Sequence, residues 1–193
     1  MKVKYLKPAM FLISISVLVS LSARAEGGKE GTYDNCMRAV PGPLFDKKMT
    51  MVETTKFQPE TKEEEAKEEV VFTSGDRLFI RNWGCEYFVN TFRYESKSMS
   101  VSPGNIKDVS MNTAKTLRKL ESYNPNVIFD LGKAAKTLDK VVKEGKDISF
   151  GVWYPVEGDG LYFLQTRVVV KGGGPLEKEE GSYVEFELLK GPL

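Results

Sequence analysis

The sequence predicts an α+β domain, a mixed, largely antiparallel β-sheet with a pair of helices, at about 105–123 and 130–144, packed on one face. Three observations carry this reading. Apolar and β-branched residues alternate with period two before the middle of the chain and again in its last third. Between those stretches apolar residues recur every three or four positions, as one face of a helix does. Short turn signals, not long crossovers, separate the strand-like runs, and such connections join antiparallel neighbours.

In chain order, Pro41-Gly42-Pro43 marks a turn, and Thr50, Val52, Thr54 and Thr55 favour an extended strand within Lys48–Phe57. The run 59–69 crowds Glu60, Lys62, Glu63, Glu64, Glu65, Lys67, Glu68 and Glu69 with almost no apolar face, so a solvated charged loop is expected there. Val70–Thr73 and Arg77–Arg81 flank Ser74-Gly75-Asp76, a compact hairpin signal. A second turn at Asn82-Trp83-Gly84 leads into Cys85–Glu95. There Tyr87 and Val89 face one way while Phe88, Phe92 and Tyr94 face the other, which predicts a central strand covered on both sides.

Ile106, Val109, Thr113, Leu117 and Leu120 give the first helix its buried face, and Asn124-Pro125-Asn126 ends it. The second helix buries Leu131, Ala134, Ala135, Leu138, Val141 and Val142, with Gly145 just past its end; Val127–Phe129 either extends it or forms a short strand, in which case Asp130 is its N-cap. Its opposite side carries Lys133, Lys136, Lys140 and Lys143, a basic stripe suited to a polyanion or an acidic partner, or simply to solvent. Ile148–Tyr154, Leu161–Val170 and Val184–Leu188 complete the sheet as three antiparallel strands. The first two join through a turn at Glu157–Gly160, and the loop Lys171–Ser182 holds the triplet Gly172-Gly173-Gly174. A phosphate cradle needs a helix after such glycines, whereas strands flank these.

Residues 1–25 have the build of a cleaved signal peptide: Lys2, Lys4 and Lys7, an apolar core from Phe11 to Leu21, and Ala23-Arg24-Ala25 as the cleavage site. The apolar core falls short of the roughly 20 residues that cross a bilayer, so the exported chain is expected to begin at Glu26 without stable membrane insertion. Residues 26–193 then form one domain with a loose start at 26–31, in the periplasm or outside the cell. The leader holds four of the 28 basic residues and none of the 27 acids, so its removal leaves 24 against 27 and turns a net charge of +1 into −3. A general nucleic-acid binder needs the opposite balance.

Two cysteines, Cys36 and Cys85, are expected to pair in an oxidising compartment, for about 4 kcal/mol in the chain-entropy view. The chain has no histidine, which excludes Ser-His-Asp and Cys-His catalysis and histidine zinc sites. No motif calls for a metal or cofactor. The expectation is a non-enzymatic exported protein that binds another macromolecule, a protein or an envelope polyanion, as inhibitors, adhesins and envelope-associated factors do. The alternative is a small-ligand or carbohydrate module with Trp83, Tyr87, Trp153 and Tyr154 lining a pocket. A carboxylate-dependent hydrolase would need convergent acids such as Asp130 and Asp159.

Overall fold

Alternation decides which side of each strand is buried, and the resulting sheet has seven strands. The computed structural model describes residues 41–60, 65–102, 104–125, 127, 129–145, 149–156, 162–166 and 182–191. The strands are β1 (Val52–Glu60), β2 (Glu65–Phe72), β3 (Arg77–Trp83), β4 (Phe88–Ser96), β5 (Trp153–Pro155), β6 (Tyr162–Thr166) and β7 (Ser182–Lys190). Two helices, α1 (Ile106–Tyr123) and α2 (Leu131–Glu144), stand between β4 and β5. The order across the sheet is β1-β2-β3-β4-β7-β6-β5, and every described pairing is antiparallel. The α+β class holds, and β4 is the central strand. The parallel component implied by a mixed sheet is missing among the described strands, because each half is a meander of neighbours and β7 returns antiparallel beside β4.

The charged run 59–69 departs from expectation. Its described residues are strand: Pro59 and Glu60 end β1 and Glu65–Glu69 begin β2, with Pro59 paired to Ala66 and Gln58 to Lys67, while 61–64 lie outside the described residues. Composition made it look like a loop, but position by position it alternates. Ala66, Glu68, Val70 and Phe72 are buried on one side, while Lys67 and Glu69 face the other. Glu68 is tolerated inside because the backbone N–H groups of Leu44 and Phe45 donate to its carboxylate at 2.7 and 2.8 Å.

The covered face of the sheet holds one core. Val70, Phe72, Leu78, Ile80, Phe92, Tyr94, Val184, Phe186 and Leu188 pack with Val109, Leu117 and Leu120 of α1. Phe92 and Phe186, register partners on β4 and β7, stack at 5.1 Å. The segment before β1 closes the same side, with Phe45 edge-on to Phe72 at 5.8 Å and Asn124 Nδ2 donating to the Leu44 carbonyl at 2.5 Å. α2 packs along α1 and meets the sheet at its start, where Phe129 lies against Tyr162 and the Tyr162 hydroxyl donates to the Asp130 carbonyl.

The helix ends follow their sequence signals. Asn105 accepts from the Asp108 N–H as N-cap of α1, and Asn124, ahead of Pro125, is extended and stops it. Asp130 accepts from the Lys133 N–H at 2.8 Å, and Gly145 takes the left-handed conformation at φ +66° just past α2. Gly84, at φ +96° in the β3–β4 turn, is constrained further, since a side chain there would strike the Tyr87 carbonyl. The expected strand from Ile148 shrinks to Trp153–Pro155. Residues 1–31, Cys36, the turn 157–160 and the glycine loop at 171–181 lie outside the described residues.

Candidate functional site

Helices cover one face of the sheet, and on the other face the same strands present charged and aromatic side chains in ordered rows. Register places Lys56, Glu69, Phe79, Arg93 and Glu185 in one row across β1, β2, β3, β4 and β7. The neighbouring row on that face reads Gln58, Lys67, Arg81, Thr91 and Glu187. Between and above these rows runs a groove of about 470 Å³, lined by Lys56, Gln58, Lys67, Phe79, Arg81 and Arg93 together with Thr91, Glu69 and Glu185.

Cross-strand contacts fix the groove floor. Arg81 pairs with Glu65 and Arg77 with Glu69, each arginine of β3 reaching diagonally to the glutamate two residues before its register partner on β2. The Arg81 fork lowers the Glu65 carboxyl from its ordinary value, against the upward push of burial. Arg93 pairs with Glu95 at 2.7 Å and stacks 4.0 Å from the Tyr183 ring, while Arg77 and Arg81 lie over Phe79 and Trp83 at 5.0 and 5.4 Å. Trp83 Nε1 donates to the Thr91 hydroxyl, which in turn donates to Glu187 at 2.8 Å. Each guanidinium is thus held flat by an acid on one side and a ring on the other. The groove is therefore edged by guanidinium, ammonium and carboxylate groups held in fixed order, an arrangement suited to a polar surface of complementary charge.

The four aromatics expected to line a pocket are not gathered. Trp83 and Trp153 share the open face but stand on β3 and β5, four strand spacings apart, or about 19 Å. Tyr154 belongs to the opposite face, in the row of Leu164 and Leu188, and its hydroxyl accepts from the Ser149 N–H at 3.0 Å. Tyr87 is half-exposed in the β3–β4 turn. The four lysines of α2 do come together, all exposed along one side, with Lys133 3.3 Å from Asp130. Cys85 carries no free thiol, and Cys36 lies outside the described residues. Asp159 does too, while Asp130 is occupied as a helix cap.

A second polar cluster went unnoticed in the sequence. Asp76, 5% exposed in the β2–β3 turn, accepts from Ser74 at 2.7 Å, Tyr94 at 2.6 Å and Lys119 of α1 at 2.5 Å. Burial alone would raise its carboxyl, but the bonds from Lys119, Ser96, Tyr94 and Ser74 outweigh it and hold the group at about 2. The same contacts lift Lys119 above its ordinary value despite burial, and burial together with Asp76 lifts the Tyr94 phenol. All three groups are locked in their neutral-pH charge states. A lysine so held is no nucleophile and a tyrosine so held no base, so the cluster clamps α1 to the hairpin.

Period two was the available signal for the groove: Arg77, Phe79, Arg81 and Trp83 alternate with Leu78, Ile80 and Asn82. The clamp had no such signal, because its members come from positions 43 residues apart in sequence. Among the described residues no group of three or more acids or cysteines could hold a metal ion, and no helix is long and apolar enough to cross a membrane. No family model, curated protein or solved structure matches the chain.

Proposed function

We propose that this chain is an exported, non-catalytic protein that binds another protein through the open face of its sheet. The groove across β1–β4 carries the reading. Four cations, Lys56, Lys67, Arg81 and Arg93, line it against Glu69 and Glu185, the Glu68 carboxylate being turned to the covered face. Glu65 and Glu95 hold Arg81 and Arg93 beside it, so the face carries fixed charges of both signs, and a partner surface that offers both carboxylates and cations complements it. Phe79 offers that surface an apolar floor, and Thr91 and Gln58 offer hydrogen bonds.

Two further parts of the proposal come from the leader and the cysteines. Export places the groove in the periplasm or outside the cell, and a Cys36–Cys85 bridge would tie the segment before β1 to the β3–β4 turn at one end of the groove. Mass spectrometry without reductant tests the bridge, and two free thiols would remove it.

The binding itself is tested by using the exported form as bait in its own compartment and repeating the capture with Lys67→Glu/Arg81→Glu. A captured protein that is lost with the double variant, at unchanged thermal stability and with release by salt, supports the groove. Equal capture by both forms overturns it.

A further inference from the structure

We propose that the outward face of α2 is a second docking surface, and that its occupant is the anionic headgroup layer of a membrane. Lys133, Lys136, Lys140 and Lys143 recur at intervals of three, four and three, which puts them within an arc of about 80° on the helix wheel. That arc is centred opposite Leu131, Ala134, Ala135 and Leu138, the side buried toward the rest of the molecule. All four lysines are exposed, along a line of about 15 Å. α2 packs on α1 and α1 on the sheet, so this face is the outermost layer on the side away from the groove.

Two of the acids nearby are engaged within the helix pair, and Glu144 stands four residues after Lys140 at the helix end. Asp139, beside the arc, is taken by Arg118 of α1, and Asp130 by the Lys133 ammonium and N–H. α1 carries two further exposed lysines, Lys107 and Lys115. Charge is segregated accordingly. Residues 105–145 hold eight basic residues against five acids, or +3, whereas the rest of the chain from Glu26 holds 16 against 22, or −6.

Chemistry separates this face from the groove and from a protein-binding patch. The groove is built on arginines laid against rings and held by acids; the outward side of α2 offers lysine ammonium groups, which act as point charges on phosphates. Met111 is the one large apolar side chain exposed on the two helices, so adsorption without insertion is the expected mode.

The test is co-sedimentation of the protein, purified in the form the cell exports, with phosphatidylcholine vesicles that contain or lack phosphatidylglycerol, at low and raised salt. Binding is expected only with the anionic lipid, to fall with salt, and to drop about 100-fold in Lys136→Glu/Lys140→Glu/Lys143→Glu, with Lys→Arg at the same positions retaining it. The groove variant Lys67→Glu/Arg81→Glu should sediment as the parent does, so failure here and failure of the groove reading are distinguishable. Absence of binding to anionic vesicles at low salt, equal binding to neutral vesicles, or a glutamate variant with native circular dichroism that binds as before each overturns the proposal.

Discussion

The two faces of this sheet are made by the same strands and differ in one respect, which residues of each alternating pair they receive. On β3, Leu78 and Ile80 go to the covered face and Arg77, Phe79 and Arg81 to the open one; on β4, Phe92 and Tyr94 go in and Thr91 and Arg93 go out. The covered face is held by removing large apolar side chains from water, at roughly 1.5–3 kcal/mol for each one fully buried. The open face is held by cross-strand ion pairs and ring contacts, each worth about 1 kcal/mol or less where solvent reaches them. Stability is concentrated on one parity of the strands, which leaves the other free to be specialised for recognition.

The largest expected effect breaks the covered face. Phe92→Ala removes a fully buried ring from its stack on Phe186 and should cost about 3–5 kcal/mol in urea unfolding. Phe79→Ala, one position removed from Ile80 and half-buried on the open face, should cost about 1 kcal/mol and mainly weaken partner binding. Comparable losses of stability at the two positions would contradict the division.

Two buried carboxylates on the covered side sharpen the comparison through pH, because burial dominates one and partners dominate the other. Asp76 is held at about 2 against a reference of 3.8. A depressed folded-state pKa means stability that is present above 3.8 and lost as pH falls toward 2, about 1–2 kcal/mol in all. Asp76→Asn should lower stability at neutral pH and flatten that acid limb. Glu68 is raised above 4.5 by burial, despite donations from the Leu44 and Phe45 N–H groups and Thr55. The folded state then binds its proton more tightly than the unfolded chain, so this group alone adds stability as pH falls from its raised value to about 4.5. Glu68→Gln should therefore be less costly than Asp76→Asn at neutral pH and should remove the acid-side gain. Chemical unfolding across that pH range, with both variants showing the same slope change, would defeat the assignment.

Local signals made most of the helix ends legible. Asp130, Pro125 and Gly145 act through backbone geometry within one turn, and a single sequence contains all that this requires, whereas the Asn105 cap emerges only in the structure. The alternation of Phe88–Tyr94 likewise identified the central strand, but the expected cover on both sides is wrong: the helices cover only the Phe92 and Tyr94 side, and Thr91 and Arg93 line the open groove. Composition misled at 59–69, where Glu68 and Lys67 look alike in a charge count yet face opposite sides of β2, one capped by backbone N–H groups and one on the groove. The groove and the Asp76–Tyr94–Lys119 clamp depend on register between strands, or between a turn and a helix, which no local pattern encodes. The separation of Trp83 from Trp153 was illegible for the same reason, since strand order sets β3 and β5 four spacings apart.

The smallest stability effect is expected where the functional effect is largest. Arg81 is half-exposed, paired with Glu65 and laid over Trp83. Arg81→Ala loses a screened ion pair and a ring contact that together contribute about 1 kcal/mol or less, and Glu65, released from the fork that lowers its carboxyl, regains water as the arginine stem is cut back. The folded sheet should hardly register the change. A partner carboxylate that shares the Arg81 guanidinium with Glu65 would lose a charged donor from the groove, at a cost of about 1.5–3 kcal/mol or roughly 10–100-fold in affinity. A variant whose melting point and partner affinity both fall in proportion would mean that the open face supports the fold instead of recognition, and the contrast between the two parities would dissolve.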